Sequence, residues 1–371
     1  MANDTVYSRD LAGIEVGETA ISDVRGEEGV LSYRGQSIET LADKPFWQVV
    51  WLVLFGAWPA PAQQQALQEY MAYHSRLTPA ELALLHAVPK GLHPMLVLQG
   101  LVPLLKKEDG GPELSGVEQV AHEGLRLAAK LPSLVAGWHR LEQGLEPLSA
   151  NPGLGFHENF LLMFNGRAPD PEQVRVLDTA QVLQMEHSFN AGTFAGRVCA
   201  STLAPIQSSI SASIGTLFGV LHGGADEAAL EMAKRIGAPA RAAAWVAEAL
   251  AQKTKIMGMG HREYRVVDPR ALILKPLAKS LCRDGEAKQL YETLEAVEEA
   301  CQKEFAQRGK RIQANVEFYK GAVFHQLGIP SRYFTAVFAM ARVYGYIAHF
   351  LEFSRDSCLI RPRARYRSHD A

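Results

Sequence analysis

Residues 170–189, DPEQVRVLDTAQVLQMEHSF, decide the architecture of this chain. Asp170 can cap a helix, and Pro171 falls at the first helical position, where its missing N–H costs nothing. Glu172 then places an acid in the electropositive first turn. Thr78-Pro79-Ala80-Glu81 carries the same signature. Ser37 can cap a segment in which Glu39 and Leu41 lead into FWQVVWLVLF (46–55), closed by Gly56 and Pro59. Further helical stretches are expected near 116–143, 204–220, 239–253, 270–281, 286–307, 316–327 and 334–353. Extended signals are concentrated before residue 36, where IEVGETAISDV and GVLSY flank a turn at Arg25–Gly29. The expected fold is mainly α, with a small N-terminal β element.

Composition narrows the classes. The 371 residues carry 38 Lys+Arg against 40 Asp+Glu, a formal charge of −2, without the basic excess of a generic nucleic-acid binder. That length exceeds the size at which single cores stop growing, so two domains are expected. Cys199, Cys282, Cys301 and Cys358 lie far apart with no metal-ligand spacing, which suits a reducing cytoplasm and points to no metal. The apolar run Val49–Trp58 is too short to span a bilayer. The opening MANDTVYSRD has no apolar core of a signal peptide. A secreted, membrane-bound or disordered protein is not expected.

Three histidines sit beside glycine or other small residues, where a ligand can approach: His187 in MEHSFNAGTFAGR, His222 in GVLHGGADEAAL and His261 in KIMGMGHREYRVVDPR. None has HxxxH or HExxH spacing. His222 reads as ending a helix, with Asp226 and Glu227 leading the next. It can face free helix N–H groups, which would hold its imidazole neutral, or simply cap a helix C-terminus. Gly258-Met259-Gly260 begins like a dinucleotide fingerprint, but Glu263 occupies the third glycine position and no strand precedes it.

Arg265 and Arg270 follow His261, the latter in Asp268-Pro269-Arg270 at a helix start. Arg342 interrupts the apolar VFAMARVYGY, where a lone guanidinium either snorkels or binds an anion. Arg361, Arg363, Arg365 and Arg367 alternate in the tail, which reads either as a solvated arm or as a one-sided basic strand. Asn315 can cap a helix whose first turn holds Glu317, a position that ordinarily serves the macrodipole.

Taken together, MEHSFNAGTF, LHGGADEA, IMGMGHREYRVVDPRA, NVEFY..G, the FAMAR helix and the closing RPRARY resemble the citrate synthase family in order and spacing. GVLSYRGQSIETLA and the HPM at His93–Met95 are similar to its short bacterial and archaeal form. The resemblance implies a two-domain, multi-helical fold in a cytoplasmic homodimer. Residues 1–222 would form a large domain, 223–335 a small catalytic and CoA-binding domain, and 336–371 a return to the large domain with a C-terminal arm. It implies condensation of an acyl-CoA with a 2-oxo acid and no permanently bound cofactor, coenzyme A entering as co-substrate.

By the same resemblance Glu317 is the base, His222 hydrogen-bonds the thioester oxygen and His261 polarises the ketone of oxaloacetate. His187, Arg270 and Arg342 would bind its carboxylates, with Arg361 reaching across from the other subunit. Lys255, Met257, Gly258, Met259, Gly260, Arg265 and Lys310 would hold coenzyme A. One position departs: the family's base is most often Asp, and the extra methylene of Glu317 moves the carboxylate by about 1 Å, enough to cost roughly 100-fold in rate unless compensated. Citrate synthase is the leading expectation and 2-methylcitrate synthase, using propionyl-CoA, the second. A citryl-CoA lyase or a non-catalytic helical dimer ranks below both.

Overall fold

The computed structural model describes residues 8–11, 13–106, 110–309 and 311–366. Among these, one antiparallel sheet is formed by β1 (Ser22–Arg25), β2 (Val30–Tyr33) and β3 (Gln36–Ser37), in that order. Ser22 pairs with Tyr33, Arg25 with Val30, and Tyr33 again with Gln36. Arg34 and Gly35 join β2 to β3 with φ of 50° and 77°, the two-residue turn whose twist matches that of its strands. The extended region expected from the sequence is therefore shorter than it reads, since residues 14–19 carry no regular structure.

The β1–β2 turn has a task beyond chain reversal. A Cβ on Gly26 would lie 2.0 Å from the carbonyl oxygen of Glu263, so only glycine lets this turn seat against the segment after His261. The Gly26 carbonyl accepts the Arg265 N–H at 3.0 Å.

Among the described residues all other regular structure is helical, and the caps explain where it starts. Thr78 and Glu81 exchange side-chain and backbone bonds at 3.2 and 2.8 Å, a reciprocal box that opens Pro79–His86. Asp170 opens Pro171–Gln184, its N–H donating to Gln173 Oε1 at 2.9 Å. Ser37 caps only Ile38–Ala42, and the chain restarts after Pro45 as Phe46–Phe55, closed by Gly56 at φ 78°. The single segment expected there is two, because proline disfavours helical geometry in the residue before it.

The helix Phe334–Arg355 is the axis of the larger helical group, packed by Phe46–Phe55, Gln119–Glu142, Pro171–Gln184, Ala191–Ala200 and Ile206–Leu217. With the short turn before it, Ser331–Arg355 is long and apolar enough to cross a membrane, unlike the shorter run the sequence singles out, yet its apolar stretch is buried inside the protein. Each large apolar side chain buried there contributes about 1.5–3 kcal/mol. A second group, Ala225–Ile236, Ala242–Ala251, Pro269–Leu281, Gly285–Gln307 and Val316–Gln326, packs mainly on itself. Pro269–Leu281 joins the two groups through Pro171–Gln184 and Ile38–Ala42.

Candidate active site

The segments carrying His261 and Glu317 are distant in sequence, and a short antiparallel bridge between Met259 and Ala314 joins them. Gly260 N–H donates to Gln313 O at 2.7 Å, and Asn315 N–H to Gly258 O at 2.9 Å. Asn315 completes the join: its Oδ1 accepts Glu317 N–H at 3.0 Å while its Nδ2 donates to Gly260 O at 2.8 Å. Gly258 has φ 78°, and a Cβ there would come within 2.6 Å of the Phe318 ring. Backbone geometry and close packing thus call for glycine at 258.

Asp268 fastens the same region from the other side. Arg270 donates to it through Nε at 3.0 Å and Nη2 at 2.8 Å, and Val316 N–H donates to Asp268 Oδ2 at 3.2 Å. One carboxylate therefore fixes the plane of Arg270 and the start of the helix bearing Glu317. Arg270 Nη2 lies 3.5 Å from His261 Nε2, and His187 Nε2 lies 3.1 Å from the Tyr264 hydroxyl. The rings of His187 and His261 are 5.4 Å apart. Arg342 enters from the central helix, buried, with Nε donating to Gln184 O at 2.6 Å. It binds within the protein rather than snorkelling.

His222 does not end a helix. It lies in turns beyond Ile206–Leu217, with Nε2 3.4 Å from the Gly192 N–H and 3.2 Å from Asn190 Oδ1. Asn190 caps Ala191–Ala200, so the free helix N–H that His222 meets belongs to a different helix from the one its own sequence suggests.

All three imidazoles are held neutral. Burial, then the Arg342 charge, brings His222 down to about 4 against a pull upward from Glu317. Burial, then Arg270, brings His261 to about 4 against Asp268 and Glu317. His187 lies well below its ordinary value through burial, Arg270, His261 and Arg342. Because His261 Nδ1 accepts the N–H groups of Glu263 and Tyr264 at 3.0 and 3.3 Å, its proton sits on Nε2. The cluster thus offers neutral donors, two arginines and, besides the Asp268 that holds Arg270, the carboxylate of Glu317, a set suited to stabilising developing oxyanions and binding carboxylates.

Of the other expected residues, those described lie nearer solvent. Arg361 is exposed and donates to the carbonyl of Pro362. Lys255 is exposed, and Arg265 faces Glu27 at 3.7 Å across solvent. Met257 is half-buried beside the bridged glycines. Lys310 and Arg367 lie outside the described residues. A cleft of about 750 Å³ lined by Trp47, Tyr73, Arg76, Pro132 and Phe156 contains none of the candidate residues. Sequence reasoning missed Asp268, Tyr264, Asn190 and Lys320 as members of the cluster. Asp268 had a signal, since Asp-Pro at a helix start marks a side chain turned toward the helix end. Lys320 had one too, standing one turn from Glu317.

A family model described as citrate synthase, C-terminal domain, matches residues 10–363. A citrate synthase of Synechocystis sp. is 36% identical over 367 residues, spanning 99% of this chain and 92% of the relative. A 2-methylcitrate synthase of Mycobacterium tuberculosis is 36% identical over 366 residues, spanning 98% and 91%. Among solved structures, the ternary complex of carboxymethyl coenzyme A and oxaloacetate with citrate synthase from Thermoplasma acidophilum matches with a TM-score of 0.89 at 27% identity, covering 98% of this chain and 96% of that one. With the model match running through nearly the whole sequence and the fold agreeing, this chain belongs to the citrate synthase family of transferase-type condensing enzymes.

Proposed function

We propose that this protein condenses acetyl-CoA with oxaloacetate and hydrolyses the resulting citryl-CoA to citrate and coenzyme A. The observation that carries the reading is the convergence of Glu317, two neutral histidines and two buried arginines from four separate segments. Glu317 takes a proton from the acetyl methyl group while His222 donates a hydrogen bond to the thioester oxygen, which becomes an enol rather than a full enolate. That role asks His222 to carry its proton on Nδ1, with Nε2 accepting the Gly192 N–H. His261 donates from Nε2 to the ketone oxygen of oxaloacetate, making the carbonyl carbon electrophilic.

His187, Arg270 and Arg342 hold the two carboxylates, the planar guanidinium groups matching them edge to edge. Arg361, exposed on its own chain, is the residue a homodimer would lend to the partner's site. Residues 223–335 serve as the small domain and close over coenzyme A, which Lys255, the Met257–Gly260 loop, Arg265 and Lys310 contact. Residues 1–222 and 336–371 supply the rest of the site. Closure keeps water out until citryl-CoA has formed. Four free cysteines fit a reducing cytoplasmic location.

A second reading is 2-methylcitrate synthase, since the Mycobacterium tuberculosis relative has the same 36% identity to this chain as the Synechocystis enzyme. One methylene in the acyl pocket changes selectivity by only about 1–3 kcal/mol. Thiol release with oxaloacetate and either acetyl-CoA or propionyl-CoA tests both readings. The expected result is release with acetyl-CoA at the higher kcat/KM. A reversed ratio selects the second reading, and no release with any acyl-CoA and 2-oxo acid overturns both.

A further inference from the structure

Glu317 does not stand alone. Lys320, one turn along the same helix, is ion-paired with Glu317 Oε2. The same ammonium lies 3.0 Å from Asp226 Oδ2. Lys320 and Asp226 are fully buried, and Glu317 is the member of the three that reaches solvent, its side chain 14% exposed. Two carboxylates on one ammonium leave a net negative charge in the interior, an arrangement that burial opposes unless its geometry is fixed on every side.

It is so fixed. Asp226 sits in the first turn of Ala225–Ile236, a turn beyond His222, and its Oδ1 accepts the Glu227 N–H at 2.8 Å. The Lys320 ammonium lies 4.3 Å from the Phe338 ring centre and 5.7 Å from that of Phe324. Phe338 also carries the Arg342 guanidinium at 4.7 Å. Lys320 therefore ties the segment following His222 to the first turn of Val316–Gln326, with the central helix as its wall.

This arrangement answers the departure at position 317. A glutamate reaches about 1 Å further than an aspartate. Here that length is folded back along its own helix onto the residue one turn on. We propose that Lys320 is a positioning residue for the Glu317 base: anchored by Asp226, it holds Oε2 and leaves Oε1 at the place a shorter carboxylate would present. The proposal rests on Glu317 acting as the base.

The test uses full-length Lys320→Met, alone and combined with Glu317→Gln, together with Lys320→Arg. Lys320→Met is expected to lower kcat about 10–100-fold, the cost of a misplaced group, while KM for oxaloacetate moves less than about twofold. Lys320→Arg should recover part of the loss, and in the Glu317→Gln background Lys320→Met should change kcat less than about twofold. Unchanged kcat, or an equal loss in both backgrounds, overturns the proposal. Because Lys320→Met strands Asp226, the Asp226→Asn/Lys320→Met pair carries the same comparison if the single variant does not fold. Tm values of the same variants test the pairing without turnover: non-additive shifts are expected, and additive ones overturn it even if the enzyme proves silent with every acyl-CoA.

Discussion

Two buried acid–cation pairs flank the candidate site, and they are used in opposite senses. At the proposed oxo-acid end, Asp268 grips Arg270 through two bonds of 3.0 and 2.8 Å, so the carboxylate orients a cation that the proposed function offers to substrate. At the proposed base end, Asp226 holds Lys320 at 3.0 Å, and the cation would orient a second carboxylate for the same use. The residue types follow from these tasks. A planar guanidinium can be fixed by one fork and still present further N–H groups. An ammonium is a compact point charge whose three donors can be shared between two carboxylates.

The comparison is broken most directly at Glu317. Glu317→Gln keeps the shape and removes the proton acceptor, so kcat should fall by about 10²–10⁴-fold. KM for oxaloacetate should stay near its original value. A Glu317→Gln enzyme with full kcat would remove the base end from the chemistry altogether. Arg270→Lys should act on the other parameter. It replaces the fork to Asp268 with a single contact, and hydrogen bonds to charged groups contribute about 1.5–3 kcal/mol each. KM for oxaloacetate should rise about 10–100-fold, with the smaller change in kcat. Steady-state kinetics with oxaloacetate varied at saturating acetyl-CoA measures both. If Arg270→Lys lowers kcat alone, the division between the two ends fails.

Much of this was legible in order along the chain and little of it across the chain. Thr78, Asp170 and Gly56 announce helix ends because caps are local chemistry. The three histidines and Arg270, Arg342 and Glu317 stand in motifs, and they do converge. What residue spacing does not contain is who meets whom. Asp226 and Lys320 lie on different helices, each reading as an ordinary first-turn acid or helical lysine. The bridge between Met259 and Ala314 is one pair long and leaves no periodic trace. His222 takes its helix N–H from Gly192, a residue thirty positions upstream, so the nature of its environment could be read but not its source.

The two ends should also answer acid differently, and this is the smallest effect. His261, brought to about 4 by burial and Arg270, and His187, held well below its ordinary value by burial and Arg270, resist protonation in the folded state. Unfolded imidazoles take up a proton near 6.5, so the oxo-acid end loses stability as the pH falls from about 6.5 toward 4. Asp226 runs the other way. Burial, against the pull of Lys320, pushes its carboxyl up to about 6 from an ordinary 3.8. The folded chain then binds a proton more readily than the unfolded one between those values, and acidification through that window favours folding by at most about 3 kcal/mol. The histidines outnumber it, so Tm should fall between pH 6.5 and 4. In Asp226→Asn the opposing contribution is gone, and the fall should be steeper by a few degrees. Calorimetric melts of both proteins across that range decide it: parallel curves would mean that Asp226 keeps an ordinary carboxyl, and that Lys320 neutralises it as completely as Arg270 neutralises Asp268.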